Sequence, residues 1–367
     1  MDSDSSDDYY TKTKKAKVVT QKCPYLGTVN RYLLDFDFEK VCSVTLSNAN
    51  VYACLVCGQY FKGRGKGTPA FIHSLDKQHN VFLNVTDEKV YCLADDYEIC
   101  DDSLDDIKFN LNPKIVKVDD LPSSALSLSG VEYHPGIVGL NGSSSTSHIT
   151  ASLHALAVIV PLCNLVLRGK ESAIKRLIKK MWNYQNFKGV VSPQEFIQHL
   201  NPVPSDAMQF LKVFLPSVVP ETLVKCVSLD LPPITVFIGE DDKFINTMLL
   251  TELLSDIEGD TEYIVIQLKR FVENDFFREK NRTIVRFPLS GLLIGDTQYS
   301  LVSMICHEGE QIESGSRPDC SLGKFVAYVC QPKTGQWFNC DGLKISKVLS
   351  QSVVLVESYI QIWKRER

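Results

Sequence analysis

Cys54-Leu-Val-Cys57, with His73 and His79 after it, is the stretch that decides the fold of the N-terminal part of this chain. Fifteen residues separate Cys57 from His73, and five separate the two histidines. Two thiolates and two imidazoles form a closed tetrahedral zinc site, and a C-x-x-C turn directs both sulfurs to one point. The alternative is two buried free cysteines and two surface histidines. The spacing favours one structural Zn²⁺ held by Cys54, Cys57, His73 and His79.

Strand-like segments surround these four residues and predict a compact module over residues 21–118. Aromatic and β-branched residues predict strands within 50–54, 80–85 and 89–93, and glycines at 63, 65 and 67 mark a turn. This mixture around a metal site predicts a small zinc-binding α/β module.

The composition of the whole chain limits its class. Its 367 residues suggest two or three domains, and 44% hydrophobic residues allow buried cores. A net charge of −5 predicts no general affinity for nucleic acid, so we expect any RNA contact to be minor. No apolar run approaches the roughly 20 residues that span a bilayer, and the acidic N-terminus is unlike a secretory signal. The 12 scattered cysteines favour reduced thiols and metal ligation over disulfides.

Two segments read as connections rather than domains. Residues 1–20 are charged and poor in apolar residues, which predicts a disordered tail. Its lysines at 12–17 fit either a nuclear-import signal or a solvated tail. Residues 119–134, with Pro122 and several serines, predict a linker.

Residues 135–367 predict a second domain of α+β class. Helical patterns come first, from near Thr150 to Val160, over 171–183 and over 206–215. Alternating strands come later, within 262–269, 283–287, 324–329 and 353–362. A basic stripe at 175–180 reads as a solvated helix face or, as the minority interpretation, a partner-binding patch. Helices followed by strands indicate the α+β class.

Motifs spread along this second domain resemble the catalytic domain of ubiquitin-specific proteases. They are Gly136–Leu140, Asp206–Leu211, Tyr263–Phe271, Arg286-Phe-Pro288, Gly323–Val329, and Trp337 followed by Asp341. The resemblance implies a papain-like fold. The family's fingers carry a tetracysteine site, but only Cys226 lies between Leu215 and Thr261, so shortened fingers are expected.

The resemblance also places the catalytic triad of the family, and two of its three members are replaced. The nucleophile position falls on Ser147, the general-base position on Lys324, and the orienting aspartate on Asp341. The oxyanion asparagine position falls on Ser145. A serine needs a base, and an ordinary lysine is protonated at neutral pH. We therefore expect an inactive pseudo-deubiquitinase in which Lys324 and Asp341 form a salt bridge; a serine–lysine dyad is the alternative.

The first module resembles the zinc-finger domain of the same proteases, through Cys23–Leu26, Tyr52–Gly58, Gly63-Arg64 and Val90–Leu93. Members hold up to three zinc ions, but Tyr25 and Lys62 stand at positions where further ligands are common. Cys23, Cys42 and Cys92 are then partial ligands or, as we favour, buried thiols. Arg64 matches the arginine that captures the ubiquitin tail, whereas Tyr91 replaces a tryptophan, so we favour a protein-contact surface over ubiquitin binding.

Three strings resemble the splicing-associated, catalytically inactive branch of the family: Leu34–Lys40, Lys269–Asn281 and Ser358–Arg365. This resemblance implies a non-catalytic scaffold or assembly factor of the spliceosomal tri-snRNP in pre-mRNA splicing, located in the nucleus. Its implied partners are tri-snRNP proteins and the small nuclear ribonucleoprotein complex. The rival hypotheses are a ubiquitin-binding adaptor and an active deubiquitinase with an atypical nucleophile.

Overall fold

The structure, a computed structural model, describes residues 22–232, 247–255, 257–274, 277–309 and 323–366, and the backbone of Lys17 and Val18. The described chain divides into two compact units, Met1–Leu111 and Asn112–Arg367. The predicted disordered tail, residues 1–20, lies outside the described residues except for that two-residue strand.

The first unit is a mixed α/β module. Its strands and helices are β1 (Lys17–Val18), β2 (Val51–Cys54), β3 (Tyr60–Lys62), α1 (Pro69–Lys77), β4 (Val81–Asn84), β5 (Val90–Cys92), β6 (Tyr97–Ile99) and α2 (Asp105–Leu111), with 3₁₀ turns at Leu26–Thr28, Arg31–Leu33 and Asp102–Leu104. The described strands form one sheet in the order β1-β6-β5-β4-β2-β3. The strands predicted within 50–54, 80–85 and 89–93 are confirmed as β2, β4 and β5.

A small apolar core holds this module together. Tyr52, Phe61, Phe82 and Leu93 are buried in it, and Cys54 lies among them with no exposed surface. The central strands β2, β4 and β5 are therefore buried on both faces and read as continuous apolar runs. Burial of this cluster places one end of β2, and the cysteine on it, inside the module.

The second unit places its helices first and its large sheet later. Its helices are α3 (Ser147–Ala157), α4 (Val160–Arg168), α5 (Ala173–Met181), α6 (Gln194–Gln198), α7 (Ala207–Val218) and α8 (Ser350–Val353), with 3₁₀ turns at Ser144–Thr146 and Leu250–Leu253. Its strands are β7 (Ala125–Leu126), β8 (Glu132–Tyr133), β9 (Gly139–Leu140), β10 (Val190–Val191), β11 (Val224–Asp230), β12 (Thr247–Leu249), β13 (Tyr263–Lys269), β14 (Phe271–Asn274), β15 (Phe277–Lys280), β16 (Ile284–Arg286), β17 (Leu292–Ile294), β18 (Thr297–Glu308), β19 (Lys324–Cys330), β20 (Trp337–Asp341), β21 (Lys344–Val348) and β22 (Ser358–Arg365). The predicted α+β order is confirmed.

One mixed sheet organises this unit, in the order β11-β13-β22-β18-β19-β20-β21. β18 lies at its centre and pairs with both β19 and β22. Its core is apolar and includes Trp363 and Tyr299, neither of which is exposed. Helix α3 is almost wholly buried and packs on the sheet, where Ser303 Oγ donates a hydrogen bond to Ala155 O at 2.9 Å. This packing brings the first turn of α3 close to the start of β19.

Some predicted boundaries in this unit were wrong. The helix predicted from near Thr150 begins at Ser147 and ends at Ala157, and Pro161 lies in the first turn of α4 rather than after a terminus. Proline is well tolerated there because the first helical N–H groups have no partner within the helix. The strand predicted from 353 begins at Ser358, because α8 ends at Val353.

The segment predicted as a linker, 119–134, carries structure and belongs to the second unit. β7 and β8 pair as a short hairpin, and Leu128 N donates to Phe187 O at 3.0 Å. The side chain of Tyr133 is buried and donates to Asn183 O at 2.9 Å. The hairpin is therefore part of the second unit, and the division between units falls after Leu111.

In the described ranges no single helix is long and apolar enough to span one. The pair Ser144–Ala157 and Val160–Arg168 meets those criteria only together, with a bend of 97° between them.

Candidate functional site: a metal centre and a degenerate cleft

The predicted metal ligands converge in the first unit. Cys54 ends β2, Cys57 lies in the turn that follows, His73 lies on α1, and His79 follows that helix. Their ligand atoms all lie within 4.8 Å of one another. Cys54 Sγ is 3.6 Å from His79 Nδ1, and Cys57 Sγ is 3.5 Å from His73 Nε2. Sulfur and nitrogen ligands of one tetrahedral zinc lie roughly 3.3–3.8 Å apart, so this donor set fits the ion.

Local chain geometry explains why these side chains meet. Gly58 has φ +77°, and a Cβ there would lie 2.0 Å from Leu33 O, so the turn after Cys57 requires glycine. Thr68 precedes the helix and Pro69 opens it, which fixes the start of α1. Gln78, with φ 57°, ends the helix in the left-handed region and turns the chain toward His79.

The surroundings of the four side chains orient one imidazole and favour one thiolate. The ring of His73 stacks on Phe61 with centroids 4.2 Å apart, which fixes its orientation. The hydrogen bond between the two thiols lowers the pKa of Cys57 and raises the pKa of Cys54, so Cys57 is the thiol that is favoured as the thiolate. A thiolate is the form that binds a metal. Cys23, Cys42 and Cys92 are buried, and the metal-ligand cluster identified in the described ranges includes none of them.

Arg64 and Tyr91 lie together beside a pocket of about 1040 Å³ in the same unit. The guanidinium carbon of Arg64 is 4.5 Å from the centroid of the Tyr91 ring. Arg64 Nη1 also donates to Asp96 Oδ1 at 2.6 Å. The cation that would receive a carboxylate is therefore already paired with a carboxylate of its own chain. Sequence reasoning missed Asp96, because nothing in its spacing links it to Arg64.

In the second unit the fold brings together the three residues predicted for the triad positions. Ser147 begins α3, Lys324 begins β19, and Asp341 ends β20. Ser147 Oγ donates to Ser144 O at 2.7 Å and accepts a hydrogen bond from Phe325 N at 3.1 Å. Both of these hydrogen bonds join Ser147 to the backbone, so its hydroxyl connects the helix to the strand.

Lys324 and Asp341 form an ion pair, as expected. Lys324 Nζ is 2.5 Å from Asp341 Oδ2 and 3.7 Å from Glu308 Oε2. The hydrogen bond to Asp341 raises the pKa of Lys324, and the Glu308 charge adds to this effect. The amine is therefore held as an ammonium ion, which cannot accept a proton from Ser147. Sequence reasoning missed Glu308, the second carboxylate beside Lys324.

Two other thiols and one imidazole of this unit, those of Cys163, Cys306 and His148, are poorly placed for catalysis. Burial raises the pKa of Cys163 and of Cys306 to about 12, which disfavours the nucleophilic thiolate. His148, next to Ser147, is buried with Nε2 2.7 Å from Pro204 O. Ser145 is exposed, with its Oγ 2.7 Å from Ser143 Oγ.

Two further predictions concern surfaces. On the basic face at 175–180, Arg176 Nη2 lies 2.7 Å from Glu195 Oε1, and Lys179 Nζ lies 3.6 Å from Glu171 Oε2. These acidic neighbours favour the solvated-face interpretation over a partner-binding patch. The predicted shortening of the fingers concerns 215–261, of which 233–246 and 256 lie outside the described residues.

Each of the two units matches a known protein family. Residues 42–104 match the family described as Zn-finger in ubiquitin-hydrolases and other protein, and residues 138–363 match ubiquitin carboxyl-terminal hydrolase. The human protein named ubiquitin carboxyl-terminal hydrolase 39 is 31% identical over all of this chain and 84% of its own length.

Two other relatives carry splicing names. The Schizosaccharomyces pombe protein named probable mRNA-splicing protein ubp10 is 30% identical over 93% of this chain and 88% of its own. A crystal structure described as that of an essential yeast splicing factor superposes with a TM-score of 0.80 at 26% identity, covering 94% of this chain and all of the other. The expected ubiquitin-specific-protease fold is confirmed, and the chain belongs to the ubiquitin carboxyl-terminal hydrolase family.

Proposed function

We propose that this chain is a non-catalytic scaffold or assembly factor of the spliceosomal tri-snRNP, acting in pre-mRNA splicing in the nucleus. The observation that carries the proposal is similarity that runs through both units to proteins named as splicing factors. Its partners would be tri-snRNP proteins within the small nuclear ribonucleoprotein complex. The domains proposed for it are the 21–118 zinc module and the 135–367 protease-like domain, with the first boundary moved to Leu111 and the segment 119–134 assigned to the second domain.

The chemistry of the second unit supports the non-catalytic part of this proposal. Its general-base position holds Lys324, whose pKa is raised by Asp341. Its nucleophile position holds Ser147, whose hydroxyl bonds the backbone of β19. Without a base a serine hydroxyl is a weak nucleophile at neutral pH. The fold then serves as a surface for binding rather than as an enzyme.

The first unit would contribute one structural Zn²⁺. Cys54, Cys57, His73 and His79 supply four ligands, which fills a tetrahedral shell and leaves no position for a substrate. In this role the ion would hold β2 against α1.

Purification of the tagged chain from its own cells tests the scaffold function. Recovery of the tri-snRNP small RNAs together with large tri-snRNP proteins is the expected result. Recovery of ubiquitin conjugates without those RNAs would refute the proposal. The same preparation, treated with a fluorogenic ubiquitin substrate, should show no turnover above that of the Ser147→Ala variant.

One observation favours a second candidate, a ubiquitin-binding adaptor: Arg64 lies over Tyr91 at the edge of a pocket. An arginine binds a terminal carboxylate well. This version predicts binding of free ubiquitin that is lost with Arg64→Ala or when the terminal glycines of ubiquitin are removed. The scaffold function requires no such binding, and the Arg64–Asp96 pair opposes it.

A further inference from the structure

A loop of the first unit, residues 32–46, exposes an unusual number of large apolar side chains. Tyr32, Leu33, Phe38, Val44 and Leu46 are between 52% and 78% exposed. Elsewhere in the described part of this unit, the large apolar residues exposed to this degree are Ile72 and Leu75 on α1. Single exposed apolar residues are ordinary, but a concentration of them marks an interaction surface.

The loop is held in place by its own buried contacts. Leu34 and Phe36 point into the unit and are almost wholly buried, and Cys42 has no exposed surface. Tyr60 Oη donates to Asp35 O at 2.6 Å, and Ser43 N donates to Tyr60 O at 2.8 Å. The exposed side chains therefore stand on a fixed backbone, and a partner would meet them without first ordering the loop.

Leu46 gives an independent sign of a functional surface. Its φ of 54° lies in the left-handed region, which is unfavourable for a branched side chain. Its N–H donates to Cys42 O at 2.9 Å, and this turn holds the side chain 78% exposed. A strained residue that places an apolar side chain in solvent gains nothing for the core, and such strain concentrates at functional sites.

The charges in the loop indicate what it binds. Asp35, Asp37 and Glu39 lie among the apolar side chains, with Lys40 as the single cation between positions 32 and 46. Burial raises the pKa of Tyr60, and the charges of Asp35 and Asp37 beside it add to this effect. A complementary partner surface is therefore positive as well as apolar.

We propose that the 32–46 loop is a docking surface for a basic, apolar segment of a partner protein. The proposal rests on the proposed scaffold function, because it names one surface through which the scaffold would bind. Phe38 and Leu46 supply the apolar contacts, and the acidic residues Asp35, Asp37 and Glu39 orient the basic segment.

Site-specific photo-crosslinking in the full chain tests this surface. A photoreactive benzoylphenylalanine replaces Phe38 in one tagged version, Leu46 in a second and Leu75 in a control, and the crosslinked peptides are sequenced. The expected result is one partner segment reached from both 38 and 46, with excess lysine or arginine and apolar residues, and not reached from 75. Crosslinks into a second copy of this chain, into an acidic segment, or at neither position would overturn the proposal.

Binding of the identified segment gives the second measurement. The segment is synthesised with a charge-reversed counterpart, and its Kd for the purified chain is measured. The Phe38→Ser/Leu46→Ser variant should bind at least about tenfold more weakly, whereas Ile72→Ser/Leu75→Ser should bind as the unaltered chain does. Equal Kd values for the two variants, or for the two peptides, would also overturn the proposal. Unchanged metal content and melting temperature show that the variants fold.

Failure of this surface can be told apart from failure of the scaffold function. Tri-snRNP small RNAs that co-purify with the unaltered chain report on the scaffold function alone. If those RNAs are recovered and the crosslinks fail, the surface is wrong and the function stands. If the RNAs are absent and a basic apolar segment is crosslinked, the surface stands and the scaffold function is wrong.

Discussion

The metal centre of the first unit and the cleft of the second differ in the chemistry of the side chains that the fold brings together. In the first unit, four side chains with the chemistry of zinc ligands meet within 4.8 Å. In the second, the three triad positions also meet, but they hold a serine, an ammonium ion and a carboxylate. The same degree of assembly thus supports a metal site in one unit and an ion pair in the other.

The difference shows when the stability of a fold depends on the side chains of a site and when it does not. The ligands of the first unit connect β2 to α1 in a small module with a small core, so the loss of one ligand would threaten folding. The residues predicted for the triad positions of the second unit lie on elements that a large sheet already holds in place. The fold there does not depend on catalytic side chains, and the Ser147 hydroxyl bonds the strand beside it.

The largest effect is expected from removing a metal ligand. Cys54→Ser should lose the ion and unfold the first unit, because structural zinc supplies roughly 10 kcal/mol in zinc-finger peptides. Metal content by atomic emission and the thermal transition by circular dichroism measure the two consequences. Cys100→Ser is the matched control, since Cys100 is an exposed thiol outside the cluster. Equal metal content in both variants would contradict the assignment of Cys54 as a ligand.

Arg270 is expected to give the next largest effect, within the second unit. Its guanidinium is 1% exposed and donates to the carbonyl oxygens of Ser358, Asn281 and Thr283 at 2.6–2.9 Å. Arg270→Met would leave these acceptors buried without their donor and should lower the free energy of unfolding by about 4 kcal/mol. Urea denaturation measures the change.

The control for Arg270 is its neighbour in sequence. Lys269 is exposed and pairs with Asp230 at 2.9 Å, so Lys269→Met should change stability by less than about 1 kcal/mol. Arg270→Lys should remain destabilised, because an ammonium ion cannot reach three separated carbonyls as a guanidinium does. Similar losses for Lys269→Met and Arg270→Met would show that the buried contacts are unimportant.

His154 should make the stability of the second unit depend on pH. Burial lowers its pKa to about 4 from the ordinary 6.5. As pH falls below about 6.5, the unfolded chain takes up a proton before the folded chain does. Stability is therefore greatest above pH 6.5 and is lost down to pH 4, by about 2 kcal/mol at pH 5. In the His154→Leu variant, the free energy of unfolding should lose this dependence on pH when it is measured at pH 7 and pH 5. The same loss between pH 7 and pH 5 in the variant and the unaltered chain would contradict the role of His154.

The sequence predicts well those features that depend on local spacing. Cys54, Cys57, His73 and His79 could be identified because zinc ligation restricts residue type and separation together. Strands β13, β19 and β22 of the large sheet, and β2, β4 and β5 of the first unit, could be identified by alternation or by short apolar runs, whereas the central strand β18 was not predicted. The start of α3 could not, because the serines before Thr150 resemble a loop, whereas Ser147 begins the helix and accepts a tertiary hydrogen bond from Phe325 N of β19.

Contacts between distant residues were beyond sequence reasoning. The pairing of Arg64 with Asp96 spans 32 positions, and Lys324 approaches Glu308 only because β18 and β19 are neighbours. The linker prediction for 119–134 rested on composition, yet the backbone of this segment binds Phe187 through a tertiary hydrogen bond. In each case the deciding contact joins residues that are far apart in the sequence and that only the folded chain brings together.

The smallest effect is expected at Ser147, and it separates structure from chemistry in the cleft. Ser147→Ala removes the acceptor for Phe325 N and should cost about 1 kcal/mol in urea denaturation, whereas exposed Ser145→Ala should change little. Ser147→Cys places a thiol at the nucleophile position, but the Lys324 ammonium bound to Asp341 cannot take its proton. Turnover of a fluorogenic ubiquitin substrate should therefore stay at background in both Ser147 variants. Turnover restored by Ser147→Cys alone would mean that another group in the cleft acts as a base. The cleft would then lack only the nucleophilic thiol, whereas the metal centre holds all four of its ligands.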